Sequence, residues 1–330
     1  MKKYMLLITT ILFSSLLLIT AVSAEELGYG ELEARAIQDG YIDEYVNELP
    51  GNYFYSTGAQ GENTIIDKIR NEIIDAWENY SSEPIDISEL GFTTSDSDLK
   101  VLNDFYRGIV NNNPEYFYVK SSAGYEYSRS TGETFTLVPK YVFDPSAIPA
   151  LREYFNDKVN EALSVVDDSM SDIDKMIALH DYIVLKAEYD LDTFETHNNA
   201  HPTSFSAYGV LVNNIGVCQS YTLAYIHLRN EVGIEVSTVQ SKTLNHIWNI
   251  VKIGNDWYHV DVTWDDPTLD RKGLVSYSYF LASDNEFGAT GATHRANDWV
   301  TDFSATSEAY ANAFWKTSAS PLAYLDDYYY

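Results

Sequence analysis

Residues 218–264 constrain the fold most, because the hydrophobic period changes there once and sharply. "CQSYTLAYIHLRNEV" suits a helix over 218–232, and Gly233 ends it. Three alternating runs follow: "EVSTVQSK", "HIWNIVKI" and "DWYHVDVTW". Alternation of this kind predicts antiparallel strands. "GND" at 254–256 reads as the hairpin turn between the last two. A helix that feeds directly into a strand meander predicts an α+β fold.

The upstream chain fits the same class. Ile65, Ile66, Ile69, Ile73, Ile74 and Trp77 lie at helical spacing within 62–79. "TTSDSDLKVLNDFYRGIVNNNP" predicts a second helix, started by a Ser or Asp cap and stopped before Pro114. "EYFYVKSS", "GYEYSRS" and "TFTLVPKYVF" predict three strands. Two more helices are expected in "PSAIPALREYFNDKVNEALSVV" and "SDIDKMIALHDYIVLKAEY", the latter with Ser171 and Asp174 as a capping-box-like start. "YSYFLAS" adds a further strand-like run.

The N-terminus points to export. Lys2 and Lys3 precede an apolar run from Met5 to about Ala21, and "AVSA" offers Val22 and Ala24 as small-residue positions for cleavage. A secretory signal peptide over 1–24 is expected, in preference to a retained anchor, because the run is short for a stable span. No later stretch is apolar enough to span a bilayer, so the mature chain is expected outside the cytoplasmic membrane, secreted or in the cell envelope. The net charge is −28, and removal of Lys2 and Lys3 takes it to −30. That surface disfavours nucleic acid and anionic membranes. Charges spread along the chain suit solubility better than a dedicated cationic partner.

An exported chain with one cysteine is unusual. Cys218 has no partner in its own chain. A reactive thiol, an intermolecular bridge and a buried inert residue are the three readings. Position separates them in part. Cys218 stands at a loop-to-helix junction, His246 opens "HIWNIVKI", and Asp261 lies in "WYHVDVTW". The hairpin puts the latter two on neighbouring strands, where cross-strand contact is natural. A helix N-terminus stabilises a thiolate, a histidine moves the proton, and a carboxylate orients the imidazole.

Other clusters are poorer. Asp190, Asp192, Glu195, His197 and His201 gather in "YDLDTFETHNNAH", and Asp265, Asp266 and Asp270 in "DDPTLD". Neither has calcium-loop spacing with its turn glycine, and solvated loops are the expectation. No zinc motif or phosphate-binding glycine loop is present, so neither a metal nor a cofactor is expected.

"GVCQSYTLAYIHLRNEVGI", "NHIWNIVKIGNDWYHVDVTWDDP" and "YFLASD", with "LHDYIVLKAEYD" and "SAYGVLVNNIGVC", resemble the core motifs of the transglutaminase-like superfamily, which is related to papain-like cysteine peptidases. The resemblance spans roughly Ser171 to Asp284 and has no counterpart over 25–160. It implies a helix carrying the cysteine packed on an antiparallel sheet, with Cys218 as nucleophile, His246 as base and Asp261 as orienting acid. His259 shares the strand face of Asp261 without matching the catalytic histidine, and packing or a supporting hydrogen bond is expected of it. Trp248, Trp257 and Trp264 are expected as core or cleft-wall aromatics, and His180 as structural support. The family's usual second oxyanion donors are not evident upstream of Cys218; Gln219 is the adjacent polar side chain.

The organisation that follows is a signal peptide at 1–24, an accessory α/β region at 25–165, a catalytic core at 166–290 and a tail at 291–330. The expected activity is acyl transfer or hydrolysis at peptide or amide bonds through a thioester, with hydrolysis favoured. Protein cross-linking is the alternative acceptor choice, and a non-catalytic envelope-binding module that keeps the fold is the alternative class. A protein or peptide substrate is implied, with cell-wall peptide among the candidates; oligomeric state is not legible.

Overall fold

The computed structural model describes residues 65–128, 134–196, 201–266, 273–289, 294 and 299–317. The export signal, the segment up to residue 64 and the last thirteen positions lie outside the described residues.

Helix α1 (Ile65–Glu78) forms on the expected spacing, with Ile69, Ile73 and Trp77 all buried on one face. After β1 (Ile85–Asp86), helix α2 (Asp96–Asn112) starts at Ser95, whose side chain accepts the Asp98 N–H at 3.2 Å. The strand expected over "EYFYVKSS" does not form. Pro114–Tyr116 is a turn of 3₁₀ helix, and Val119 makes an isolated bridge to Tyr141. Tyr116, Phe117, Tyr118, Val119 and Lys120 are buried in succession. A half-buried strand hides alternate residues, whereas this chain turns through the interior with neighbours on every side. Strands β2 (Gly124–Ser128) and β3 (Thr134–Val138) pair antiparallel, and β1 lines the other edge of β3.

Helices α3 (Ile148–Leu163) and α4 (Asp172–Lys186) follow. Ser171 caps α4 by accepting the Asp174 N–H at 3.2 Å, as the sequence predicts. Beyond β4 (Glu188–Tyr189) come α5 (Leu191–Thr196), α6 (Ala207–Leu211) and β5 (Ile215–Gly216), which pairs parallel to β4. Helix α7 (Cys218–Glu231) is buried from Cys218 to Arg229, polar side chains included. A helix enclosed all round shows little amphipathic stripe, and α7 is the central helix of the fold.

Strands β6 (Val236–Ser241), β7 (His246–Ile253) and β8 (Asp256–Val260) form the expected meander. Gly254, at φ +61°, takes the first loop position of the β7–β8 hairpin, which Ile253 and Asp256 close. The run "DWYHVDVTW" is not a strand throughout. It stops at Val260, and Asp261 caps a short helix α8 (Val262–Asp265) by accepting the Trp264 N–H at 3.1 Å. Strand β9 (Phe280–Ala282), helix α9 (Asp284–Ala289) and strand β10 (Trp299–Val300) complete an antiparallel sheet in the order β10-β6-β7-β8-β9.

One hydrophobic cluster runs from Ile69 in α1 to Trp315 near the C-terminus and includes α7. Residues on both sides of position 165 therefore share a single interior. A smaller cluster of Val239, Trp248, Ile250, Ala282, Phe287 and Ala305 covers the opposite face of the five-stranded sheet. Val251 belongs to the first cluster and Ile250 to the second, as the period of a strand requires. The fold is α+β, with helices on one face of the sheet and loops with α9 on the other.

Candidate active site

The chain enters α7 through a tight junction. The Val217 N–H donates to Ser204 O at 3.0 Å, and the Ser220 N–H donates back to Val217 O at 2.9 Å. A Cβ on Gly216 would lie 2.5 Å from Ser220 Cβ, so only glycine admits this approach. Cys218 is thereby fixed as the first residue of the helix, 4 % exposed, at its positive end. Ser220 N–H and Tyr221 N–H are held by Val217 O, so among the described residues the Cys218 and Gln219 N–H groups are the first-turn donors left for an incoming oxygen.

His246 and Asp261 meet across the hairpin. The register pairs Asn249 with Val260, which leaves Asp261 diagonal to His246 just beyond the end of β8. Diagonal neighbours are within reach of long side chains, and His246 Nε2 donates to Asp261 Oδ2 at 2.6 Å. Cys218 is among the groups that raise the pKa of the same ring. Nε2 is committed to Asp261, which leaves Nδ1 as the other ring nitrogen. Trp248 stacks on the ring with centroids 5.6 Å apart, and Trp264 flanks it at 5.8 Å. The structure brings together the three residues that the sequence singled out.

Burial alone would push the His246 pKa down. The Asp261 charge and hydrogen bond, with Cys218, carry it up to about 10 instead. Burial would raise Asp261; His246 and His294 hold it down at about 2. His246 binds its proton more tightly folded than unfolded. Its contribution to stability is complete below about pH 6.5 and is lost as pH rises toward about 10. Asp261 is depressed, so its contribution is complete above pH 3.8 and is lost as pH falls toward about 2. The pair therefore favours a Tm maximum between about pH 4 and 6.5. Thermal melts across pH should show Tm falling from pH 7 to 10, less steeply in His246→Ala; identical alkaline limbs in the two proteins would remove the pair from this role.

The supporting residues divide. Gln219 Nε2 donates to Asn111 Oδ1 at 3.2 Å, tying α7 to the end of α2. Trp248 Nε1 donates to His259 Nδ1 at 3.0 Å, and His259 Nε2 donates to Asp284 Oδ1 at 2.8 Å. His259 thus sets the plane of the indole that stacks on His246. His180 lies between two carboxylates, 3.0 Å from Asp181 and 3.2 Å from Asp265. Asp265 ends α8, which Asp261 begins, so the His180 network anchors the same short helix. Trp257 stacks on Phe303 with centroids 3.8 Å apart, away from the His246 ring.

The expectation of solvated acidic loops needs correction at three positions. Asp190 is buried and accepts from Thr193 N–H at 2.9 Å, Ser204 Oγ at 2.5 Å and His201 Nδ1 at 2.9 Å. Asp265 and Asp266 are also buried; Asp266 Oδ2 accepts the Tyr221 hydroxyl at 2.5 Å. Each carboxylate is held by interior donors, which its local sequence does not announce. Asp192 and Glu195 are exposed. His197 and Asp270 lie outside the described residues.

His294 carried no signal in the sequence. Its Nε2 lies 3.0 Å from Asp261 Oδ2, on the same oxygen that His246 contacts. It is fully buried against Trp248, Trp264, Tyr279 and Phe287. His246, Asp261 and His294 have ligand atoms within 4.8 Å of one another. Both imidazoles already aim an N–H at the carboxylate, and that hydrogen bonding accounts for the convergence without an ion.

Residues 160–262 match the family model of the transglutaminase-like superfamily. No curated protein matches the sequence. Among solved structures, a chain described as a TGase is similar at 12 % identity and TM-score 0.29, over 48 % of this chain and 47 % of that one. A chain described as "a Putative Cysteine Protease from Cytophaga hutchinsonii" is similar at 18 % identity and TM-score 0.26, over 44 % of this chain and 63 % of that one. The alignments thus span less than two thirds of either solved chain. The matched segment contains α4, the cysteine-bearing α7 and the β7–β8 hairpin with His246 and Asp261, and over residues 160–262 the chain is similar to a transglutaminase-like core.

Proposed function

We propose that this is an exported thiol enzyme acting at peptide or amide bonds, with Cys218, His246 and Asp261 as its catalytic triad. The observation that carries the reading is one buried imidazole, hydrogen-bonded to Asp261 and with Cys218 among the groups that raise its pKa. Cys218 Sγ attacks the carbonyl carbon while His246 holds the thiol proton. The oxyanion forms beside the open N–H groups at the start of α7. His246 then gives its proton to the leaving amine, and a thioester remains on Cys218. Water, deprotonated by His246, cleaves the thioester and restores the thiol. Asp261 keeps the ring oriented and stabilises the imidazolium. Hydrolysis is the favoured outcome, and a protein or peptide outside the cell, such as cell-wall peptide, is the substrate class. Export rests on the N-terminal sequence. Among the described residues no helix is long and apolar enough to cross a membrane.

Cys218 is the single cysteine, so a thiol-directed probe reads one site. Native protein should label faster than urea-unfolded protein, and Cys218→Ala should not label. Labelling of the native state slower than the unfolded state would leave a binding module that keeps the fold. With a peptide amide substrate, amine release without uptake of a labelled primary amine marks hydrolysis. Uptake of the labelled amine marks cross-linking and overturns the preference for water.

A further inference from the structure

We infer that His294 is a positioning residue for the triad, acting through Asp261 as a second, dedicated donor to its carboxylate. The inference rests on the proposed function and extends it to a residue outside the matched segment 160–262.

Asp261 is fully buried and meets three N–H groups. Trp264 N–H occupies Oδ1 at 3.1 Å, and the two imidazoles share Oδ2, His246 at 2.6 Å and His294 at 3.0 Å. A carboxylate bound only by Trp264 and His246 could pivot about its own Cα–Cβ axis. A third donor, reaching in from a chain segment beyond β9, removes that freedom. It holds Oδ2 where the His246 ring needs it. The aromatic cage fixes His294 in turn: ring centroids lie 4.5 Å away at Phe287, 4.6 Å at Trp264, 5.0 Å at Tyr279 and 5.3 Å at Trp248. Among the described residues nothing else engages the polar edge: His294 Nδ1 is buried and has no hydrogen-bond partner there. An imidazole buried with one nitrogen orphaned is costly. A phenyl ring would fill such a cage without that cost, so packing alone does not explain a histidine there. Its one hydrogen bond does.

Three substitutions separate positioning from packing. His294→Gln places its amide nitrogen near the site of Nε2 and restores the donor. His294→Phe restores ring volume without a donor. His294→Ala removes both. The readout is the pH dependence of Cys218 alkylation by iodoacetamide, with a melt on each variant and kcat/KM on a peptide amide where turnover is found. His294→Ala should lose about 10-fold or more in reactivity near neutral pH, the scale of one hydrogen bond to a buried charge. Its acid limb should move to higher pH, because Asp261 has lost a donor that keeps it ionised. His294→Gln should recover most of both, and His294→Phe neither. Recovery by Phe and not by Gln would assign His294 to packing. An unchanged Ala variant, in a protein whose alkylation still depends on His246, would overturn the positioning role and leave the triad standing. Alkylation indifferent to His246→Ala would overturn the triad itself, and this role with it.

Discussion

Asp261→Asn is expected to fold and to lose nearly all turnover, by up to ~10⁴-fold if Asp261 behaves as other orienting acids do. The cause lies in donor and acceptor counting. The site presents three N–H groups to this side chain, from Trp264, His246 and His294. A carboxylate accepts all three. An asparagine has one oxygen and two amide hydrogens, so it opposes N–H with N–H on one side whichever way it turns. With the amide nitrogen toward His246, the ring must offer Nε2 as a lone pair and carry its proton on Nδ1. In the proposed mechanism that is the atom that takes the thiol proton, and the ring ceases to be a base toward Cys218. With the amide nitrogen toward Trp264, the cap of α8 is lost at a cost of about 1 kcal/mol. Either loss leaves the sheet and α7 intact. The measurement is kcat/KM on a cleavable peptide amide beside a urea melt. Undiminished turnover in a folded Asp261→Asn protein would mean that another residue orients His246.

His246→Ala should change the thiol before any substrate is involved. Wild-type alkylation by iodoacetamide should be fast near neutral pH, because in the proposed triad the imidazole takes the thiol proton. The net charge of −28 works against a thiolate. Surface charges are screened beyond about 8–10 Å at ordinary salt, so the local partner dominates. An ordinary cysteine, with a free value near 8.5, is only ~1 % thiolate at pH 6.5. Alkylation at pH 6.5 should then fall by up to ~100-fold. Superimposable wild-type and variant profiles would remove the imidazole from any part in activating Cys218.

The elements that the sequence announced were those whose period is local. Ile69, Ile73 and Trp77 mark α1, Ser171 marks the start of α4, and the runs on either side of Gly254 mark the β7–β8 hairpin. Those same local signals place Cys218 at a helix start and set His246 and Asp261 across one turn, and the family resemblance singled out the three together before any packing was known. Where burial comes from distant chain, local period misled. "EYFYVKSS" has strand composition but is enclosed on all sides.

By itself, then, the sequence determined the α+β class and the order of helix and meander, because each depends on residues a few positions apart, and it named Cys218, His246 and Asp261 as the candidate site. Tertiary structure alone decided which carboxylates are interior and what surrounds the imidazole. Asp190, Asp265 and Asp266 read as loop acids until Ser204, His180 and Tyr221 close on them. His294 stands 33 positions from Asp261 and shares its oxygen with His246. A hydrogen bond between groups so far apart leaves no period in the chain; it exists only once the two segments are folded against each other.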